Sequence, residues 1–418
     1  MIETSVLDCG IRLVTEQMPG VASACVGFWV GTGSRDESDA EAGISHFLEH
    51  LLFKGTPRRS AREIAEAIDA VGGDMNAYTT KEYTTFYVRT LARDLEVGLD
   101  VLCDIVWDPA LRPEEVDAER QVILEEVLMH LDEPADVVQE RFAEAVFPGH
   151  PLGREVLGLP EVIRSVTVEE IRAFLRTHYR PGNIVVAAAG GVDHAALAEG
   201  IERRFAGPPG GEPPKREAPG AEVRRLVVTA RDTEQAHVVL GVRAPGRRAP
   251  ERYALALLNH TLGGGVSSRL FQRIREERGL AYSVSSERAA FADAGALAVS
   301  VGTSPEHAHE VVELVLRELD DLARDGVEAA ELELAKGHLK ADTLLSLEDS
   351  GARMSRIGGS LLLHDEVPEL DEVLARIDAV RLDEVRELAA AVLGGTRCLA
   401  VVGPFAEEDF AGLVGEGA

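Results

Sequence analysis

A chain of 418 residues exceeds what one hydrophobic core usually serves, so we expect at least two domains. Its 45% hydrophobic and 28% charged residues exclude an intrinsically disordered protein. The 72 acidic against 43 basic residues give a formal charge of -29, which opposes unspecific binding to nucleic acid or anionic membranes. A cationic partner suits this charge, and so does the commoner case of an acidic surface that only aids solubility.

The expected location is the cytoplasm, without a membrane anchor. The first residues include Glu3 and Asp8, where an export or organelle-targeting segment would be basic and free of acids. The apolar stretch that begins at Ile184 is far shorter than the roughly 20 residues needed to span a bilayer. Four cysteines without a CxxC pair indicate reduced thiols; they stand at positions 9, 25, 103 and 398.

Along the chain, the predicted elements occur twice in the same order, and matching segments lie about 205 to 212 positions apart. Each copy has an alternating strand, a helix, a helix with a glycine turn and a strand, and finally an apolar strand with a short helix. In the first copy these lie at 22–37, where the strand runs into a polar loop, and at 44–55, 60–80 and 183–201. In the second they lie at 235–250, again a strand that runs into a polar loop, and at 254–265, 267–286 and 396–414. Further helices are predicted over Pro113 to Leu131 and Pro305 to Asp325.

A stretch rich in proline and glycine, 205–220, separates the two copies and supports neither helix nor strand. We therefore predict an N-terminal domain over 1–207, a linker over 208–222 and a homologous C-terminal domain over 223–418. The predicted fold class is α+β. Each domain is an α/β sandwich-like unit, a mainly antiparallel sheet with helices packed on it.

The helix that contains "HFLEH" carries three polar side chains on one face: His46, Glu49 and His50. Two imidazoles at i and i+4 can ligate one Zn²⁺, while the carboxylate between them accepts a proton from metal-activated water. So short a motif also arises by chance, and histidines near a core are mostly packing residues. In the second copy Ala256, Asn259 and His260 take the three places, so the fold itself does not require the trio.

A catalytic zinc site normally takes a third ligand from another part of the chain. The helix after Pro113 places Glu119 and Glu126 along one stripe, which otherwise contains Val122 and Ile123. Spacing alone does not separate Glu126 from Glu125, and a solvated helix charge is the commoner role of glutamate.

These segments resemble the pitrilysin/insulinase family of inverted-motif zinc peptidases, in the branch of mitochondrial processing peptidase subunits and their bacterial relatives. The resemblance spans nearly the whole chain in order and spacing. The matching segments are "HFLEHLLFKGT", "GGDMNAYTTKEYTTFYV", "ERQVILEEV", "HPLGREVLG", "HYRPGNIVVAAAGGV" and "SSRLFQRIREERGLAYSVSS".

The resemblance implies a role for each residue of the site. It makes His46, His50 and Glu126 the zinc ligands, with Glu126 preferred over Glu125 because it stands 76 positions past His50. It makes Glu49 the general base, and it places Glu119 behind the ligands as a supporting carboxylate.

The resemblance also implies where the substrate lies. The alternating segment that contains Asn76 and Ala77 reads as an edge strand, which would hold the backbone of an extended peptide. An ordinary edge strand that ends in a polar turn fits the same pattern. Arg275 and Tyr282, seven apart, match the arginine and tyrosine with which the family's second half approaches the scissile carbonyl.

The resulting prediction is a zinc endopeptidase acting on unfolded or short peptides, and basic peptides suit its charge. Family members build a closed chamber from four such domains, so the resemblance implies that two chains pair into a clam-shell homodimer. Two alternatives stay open. One is a noncatalytic core-type subunit of a larger complex; the other is the active subunit of a heterodimeric processing peptidase.

Overall fold

The computed structural model describes residues 1–205 and 207–414. The strands and helices of the first half are β1 Ile2–Val6, β2 Arg12–Gln17, β3 Ser23–Val30, α1 Ile44–Leu52, α2 Ala61–Asp69, β4 Asp74–Thr79, β5 Thr84–Leu91, α3 Leu95–Trp107, α4 Pro113–Asp132, α5 Pro134–Val146, α6 Pro160–Ser165, α7 Val168–His178, β6 Ile184–Gly190 and α8 His194–Arg204.

The second half contains β7 Leu226–Ala230, β8 Ala236–Ala244, α9 Arg252–Gly263, β9 Ala281–Ala290, β10 Gly295–Thr303, α10 Ala308–Asp325, α11 Ala329–Ser346, α12 Ser350–His364, α13 Leu370–Asp378, α14 Leu382–Leu393, β11 Arg397–Gly403 and α15 Glu408–Val414. A π-helix at Phe271–Glu276 precedes β9. The predicted linker, 208–222, contains neither helix nor strand.

The two sheets repeat one strand order. The first runs β1-β2-β6-β3-β5-β4 and the second runs β7-β11-β8-β10-β9. In each sheet one neighbouring pair is parallel, β2 with β6 and β7 with β11, and the other pairs are antiparallel. Five strands therefore correspond one to one, which confirms the predicted duplicated α+β fold.

The chain packs into two compact units that interleave along the sequence. The first comprises Met1–Val127, Glu155–Arg216 and Leu344–Glu369; the second comprises Leu128–Arg154, Glu217–Thr343 and Leu370–Ala418. The predicted domains, which follow the duplication, thus differ from the units of packing: α5 of the first half belongs to the second unit, and α12 of the second half belongs to the first.

Each unit has a large core on one face of its sheet and a smaller one on the other. In the first unit the large core contains Phe28, Phe47 and Phe86, while α12 packs Met354 against Trp29 on the opposite face. In the second unit the large core lies against α9, α10 and α14, and α5 covers the opposite face of the sheet. Within the described ranges, no helix is both long and apolar enough to cross a membrane.

Candidate metal centre

Helix α1 begins at a sharply defined point. Gly43 adopts a left-handed φ of 99°, and a Cβ there would lie 2.8 Å from the Leu157 carbonyl oxygen. The buried carboxylate of Glu37 accepts hydrogen bonds from the backbone N–H groups of Gly43, at 2.8 Å, and Ser45, at 2.7 Å. Glu37 thereby satisfies N–H groups at the helix start, where an anion is also favoured by the helix dipole.

From this start, helical periodicity separates two faces of α1. Its apolar face enters the core of the first unit through Ile44, Phe47, Leu48, Leu51 and Leu52. His46 is 7% exposed, and Glu49 and His50 are half-buried on the side that meets α4 and β4.

The Nε2 atoms of His46 and His50 each lie 3.7 Å from the same oxygen, Oε2 of Glu126. Over 1–205 and 207–414, these three residues form the one group of histidine, cysteine, aspartate or glutamate with three candidate ligand atoms within 4.8 Å of one another. Glu125 is exposed and does not belong to this group. The geometry therefore brings Glu126 to the histidines, as the family resemblance implies.

The protonation of His46 suits a cation. Burial, and then the neighbouring His50, lower the pKa of His46 from 6.5 to about 4, so its imidazole is neutral near pH 7. Nδ1 of His50 donates to Oε1 of the buried Glu119 at 2.8 Å, which holds the ring with Nε2 toward Glu126. Two imidazoles with a carboxylate are a common catalytic zinc donor set. The residues fit zinc.

Lys54 lies behind the histidines and was not among the predicted residues. Its Nζ is 2.5 Å from Oε2 of Glu119, so Glu119 connects Lys54 to His50. Lys54 stands four residues after His50, a spacing that would place both on one face of a continuing helix. However, α1 ends at Leu52. Helical spacing therefore does not predict this contact.

Glu49 is not one of the three candidate ligands, and its carboxylate contacts β4. Its Oε2 accepts a 2.6 Å hydrogen bond from the hydroxyl of Thr79. Burial raises the pKa of Glu49, and the Thr79 hydrogen bond opposes that rise. Thr79 is a second contact that the sequence analysis missed; it shares one face of β4 with Ala77.

Strand β4 lies at an edge of the first sheet, with β5 as its neighbour there. It carries the exposed Asn76 and the half-buried Ala77, and the backbone N–H of Ala77 donates to the Asn76 side chain at 2.8 Å. The predicted substrate residues therefore lie on an edge strand that packs against α1. Their role in binding stays a prediction.

Arg275 and Tyr282 form a pair in the second unit. The guanidinium carbon of Arg275 lies 4.9 Å from the centre of the Tyr282 ring and 4.7 Å from that of Phe271. These distances are typical of cation–π contacts. Tyr282 is 82% exposed. The structure thus brings the two residues together, while their part in catalysis stays a prediction.

Two family models match successive parts of the chain. The family described as insulinase, peptidase family M16, matches residues 12–159, and the peptidase M16 inactive domain matches residues 165–339. An uncharacterized zinc protease of Streptomyces coelicolor is 45% identical, over 97% of this chain and 90% of its own length. One from Bacillus subtilis is 37% identical, over 97% of this chain and 98% of its own.

A crystal structure of a peptidase M16 inactive domain from Pseudomonas fluorescens has the same fold. Its TM-score is 0.90 at 19% identity, and the match covers 97% of this chain and 98% of that one. At such identity the likeness concerns the fold alone. The two sequence relatives match along almost their whole lengths, and both carry the name zinc protease. The chain belongs to the pitrilysin/insulinase family, peptidase family M16.

Proposed function

We propose that this chain is a zinc-dependent endopeptidase that hydrolyses unfolded or short peptides. One observation carries the proposal: two imidazoles and the Glu126 carboxylate converge on one point, with a further carboxylate, Glu49, on the same helix as the histidines. A noncatalytic subunit would have no use for this arrangement. The intact set therefore favours a peptidase over the core-type alternative.

His46, His50 and Glu126 would hold the metal, and Glu119 orients His50 from behind. A bound zinc ion supplies Lewis acidity and lowers the pKa of water at the site to about 7. Glu49 accepts a proton from the attacking water and passes it to the leaving amine. Its burial suits this role, because a carboxylate with a raised pKa is a stronger base.

The edge strand β4 positions the substrate. An extended peptide adds to its free edge through backbone hydrogen bonds, with Asn76 and Ala77 in contact with the substrate backbone. Arg275 and Tyr282 act at the scissile carbonyl, where the tyrosine hydroxyl stabilises the oxyanion. We propose that a homodimer supplies them, so that each zinc site receives this pair from the partner chain.

The test combines zinc analysis with cleavage of a mixed peptide library. The Glu49→Gln variant should bind zinc like the native chain and lose hydrolysis, because its ligands remain while the proton acceptor is gone. Glu125→Gln, which alters a neighbouring exposed carboxylate of α4, serves as the control and should cleave normally. Full activity of Glu49→Gln would rule out the mechanism.

Glu126→Gln distinguishes the metal site from the base. It should lower zinc affinity and activity together, whereas Glu49→Gln lowers activity alone. If Glu125→Gln rather than Glu126→Gln released zinc, the assignment of the third ligand would be wrong.

A further inference from the structure

The second unit contains a pair of stacked histidines. His260 of α9 and His338 of α11 have ring centres 4.2 Å apart and planes inclined by 19°. His260 is 6% exposed and His338 is exposed. Within the described ranges, neither imidazole has a hydrogen-bond partner. The His260 residue is buried as a whole, but neither of its ring nitrogens is fully buried, so both are accessible to a ligand.

Two glycines lie beside the His260 ring. A Cβ on Gly264 would lie 2.7 Å from Cα and 3.1 Å from Nδ1 of His260, and one on Gly265 would lie 3.1 Å from its Cε1. Gly264 has φ -84°, which any residue adopts, so close packing against His260 rather than the backbone conformation favours glycine there. Asn259, one residue before His260, adds a buried side-chain oxygen without a partner.

A carboxylate stands close to the pair. Asp342 follows His338 by one helical turn on α11, so the two side chains share a face. It is exposed, and its charge acts on His260. The nearest lysines of α11 are occupied elsewhere: Lys340 pairs with the Asp378 carboxylate at 2.6 Å, and Lys336 donates to the Asp378 carbonyl.

We propose that His260, His338 and Asp342 form a second divalent-cation site, in the half that lacks the HxxEH trio. Two imidazoles and one carboxylate suit Zn²⁺, Co²⁺ and Ni²⁺. His338 and Asp342 are exposed, so they can rotate toward the buried His260 and close the site around the ion. Because the three are less converged than the first set, this site binds more weakly.

The protonation of His260 agrees with this use. Burial, and then the neighbouring His338, lower its pKa, so the imidazole is neutral near pH 7 and needs no deprotonation before it ligates. The inference does not depend on peptidase activity, because its residues take no part in the proposed reaction.

Cobalt binding tests the site. The chain is first saturated with one equivalent of zinc and then titrated with Co²⁺, which is followed by visible absorption and by metal analysis after dialysis. We expect one further equivalent in the native chain and none in His338→Ala. His307→Ala removes a different, partly exposed histidine of the same unit and should keep the further equivalent.

A second experiment excludes the possibility that Co²⁺ replaces Zn²⁺ at the first site. The double variant His46→Ala/His50→Ala, which lacks the first ligand set, should still bind one Co²⁺, and adding His338→Ala should abolish that binding. Peptidase activity of the single variant His338→Ala should equal that of the native chain. Unchanged cobalt binding in His338→Ala, or no further equivalent in the native chain, would overturn the proposal.

Discussion

Glu119 has two partners, one for each carboxylate oxygen: His50 at 2.8 Å and Lys54 at 2.5 Å. The side chain of Glu119 is 5% exposed, and a buried carboxylate is accommodated at low cost only where positive charge and hydrogen-bond donors surround it. Lys54 supplies that charge. It therefore helps to fix the orientation of His50 without touching the metal position itself.

We expect Lys54→Met to lower zinc affinity by about ten-fold, the lower end of the range for groups that support metal ligands from behind. Lys54→Arg keeps the charge and should keep most of the affinity. Competition with a chelating dye measures both. Equal affinity in Lys54→Met and the native chain would show that Glu119 orients His50 unaided.

Thr79 holds Glu49 through a 2.6 Å hydrogen bond. Because a hydrogen bond to a charged group contributes about 1.5 kcal/mol, Thr79→Val should lower kcat by about ten-fold. KM should change little, since Thr79 positions the base rather than the substrate. Thr79→Ser restores the hydroxyl and should restore kcat. A Thr79→Val enzyme with raised KM and native kcat would place Thr79 in substrate binding instead.

These residues also show which parts of the site can be predicted from the sequence. His46, His50 and Glu126 can be predicted because spacing determines which side chains share a helix face, and the family resemblance selects one of two adjacent glutamates. Lys54 and Thr79 cannot be predicted in this way. Their contacts depend on how α4 and β4 pack against α1, which no local periodicity contains.

At the scale of elements, helices α5 and α12 are the least expected feature. The repeated order of strands and helices predicts two related domains, and the two sheets indeed share one strand order. It does not predict that each half gives one helix to the unit built around the other sheet. An amphipathic pattern shows that a helix has an apolar face, but not which sheet that face covers.

The seating of α12 on the first sheet depends on Gly358. A Cβ there would lie 2.5 Å from Nε1 of Trp29 and 2.8 Å from Cβ of Ala187. Gly358→Ala should therefore destabilise the fold by about 1–3 kcal/mol, as overpacking of a dense core does. Urea unfolding followed by tryptophan fluorescence measures this change.

The adjacent Gly359 is the matched control. A Cβ at that position would meet Trp29 only at 3.8 Å, an ordinary van der Waals contact. Gly359→Ala should leave stability unchanged or raise it by up to about 1 kcal/mol, because alanine favours a helix over glycine. Equal destabilisation by both substitutions would show that α12 is not seated as described.

At the scale of the whole molecule, the charge of -29 is the most general influence on substrates. We expect kcat/KM to be higher for a lysine-rich peptide than for its glutamate-rich counterpart, since a negative field attracts cationic ligands. The ratio should fall toward one as salt rises, because the Debye length is already about 10 Å at 0.1 M. A ratio near one at low salt would mean that the acidic excess only aids solubility.

The proposed homodimer can be tested by complementation between two inactive variants. If each zinc site uses Arg275 and Tyr282 of the partner chain, chains with Glu49→Gln and chains with Tyr282→Phe should complement each other. After subunit exchange, a mixed dimer contains one site with an intact Glu49 and an intact Tyr282 from opposite chains, and the C₂ symmetry of a dimer guarantees that arrangement. Activity should then rise above the sum of the separate variants. If both groups of a site came from one chain, every site in the mixture would carry a defect, so verified exchange without a rise in activity would refute the shared site.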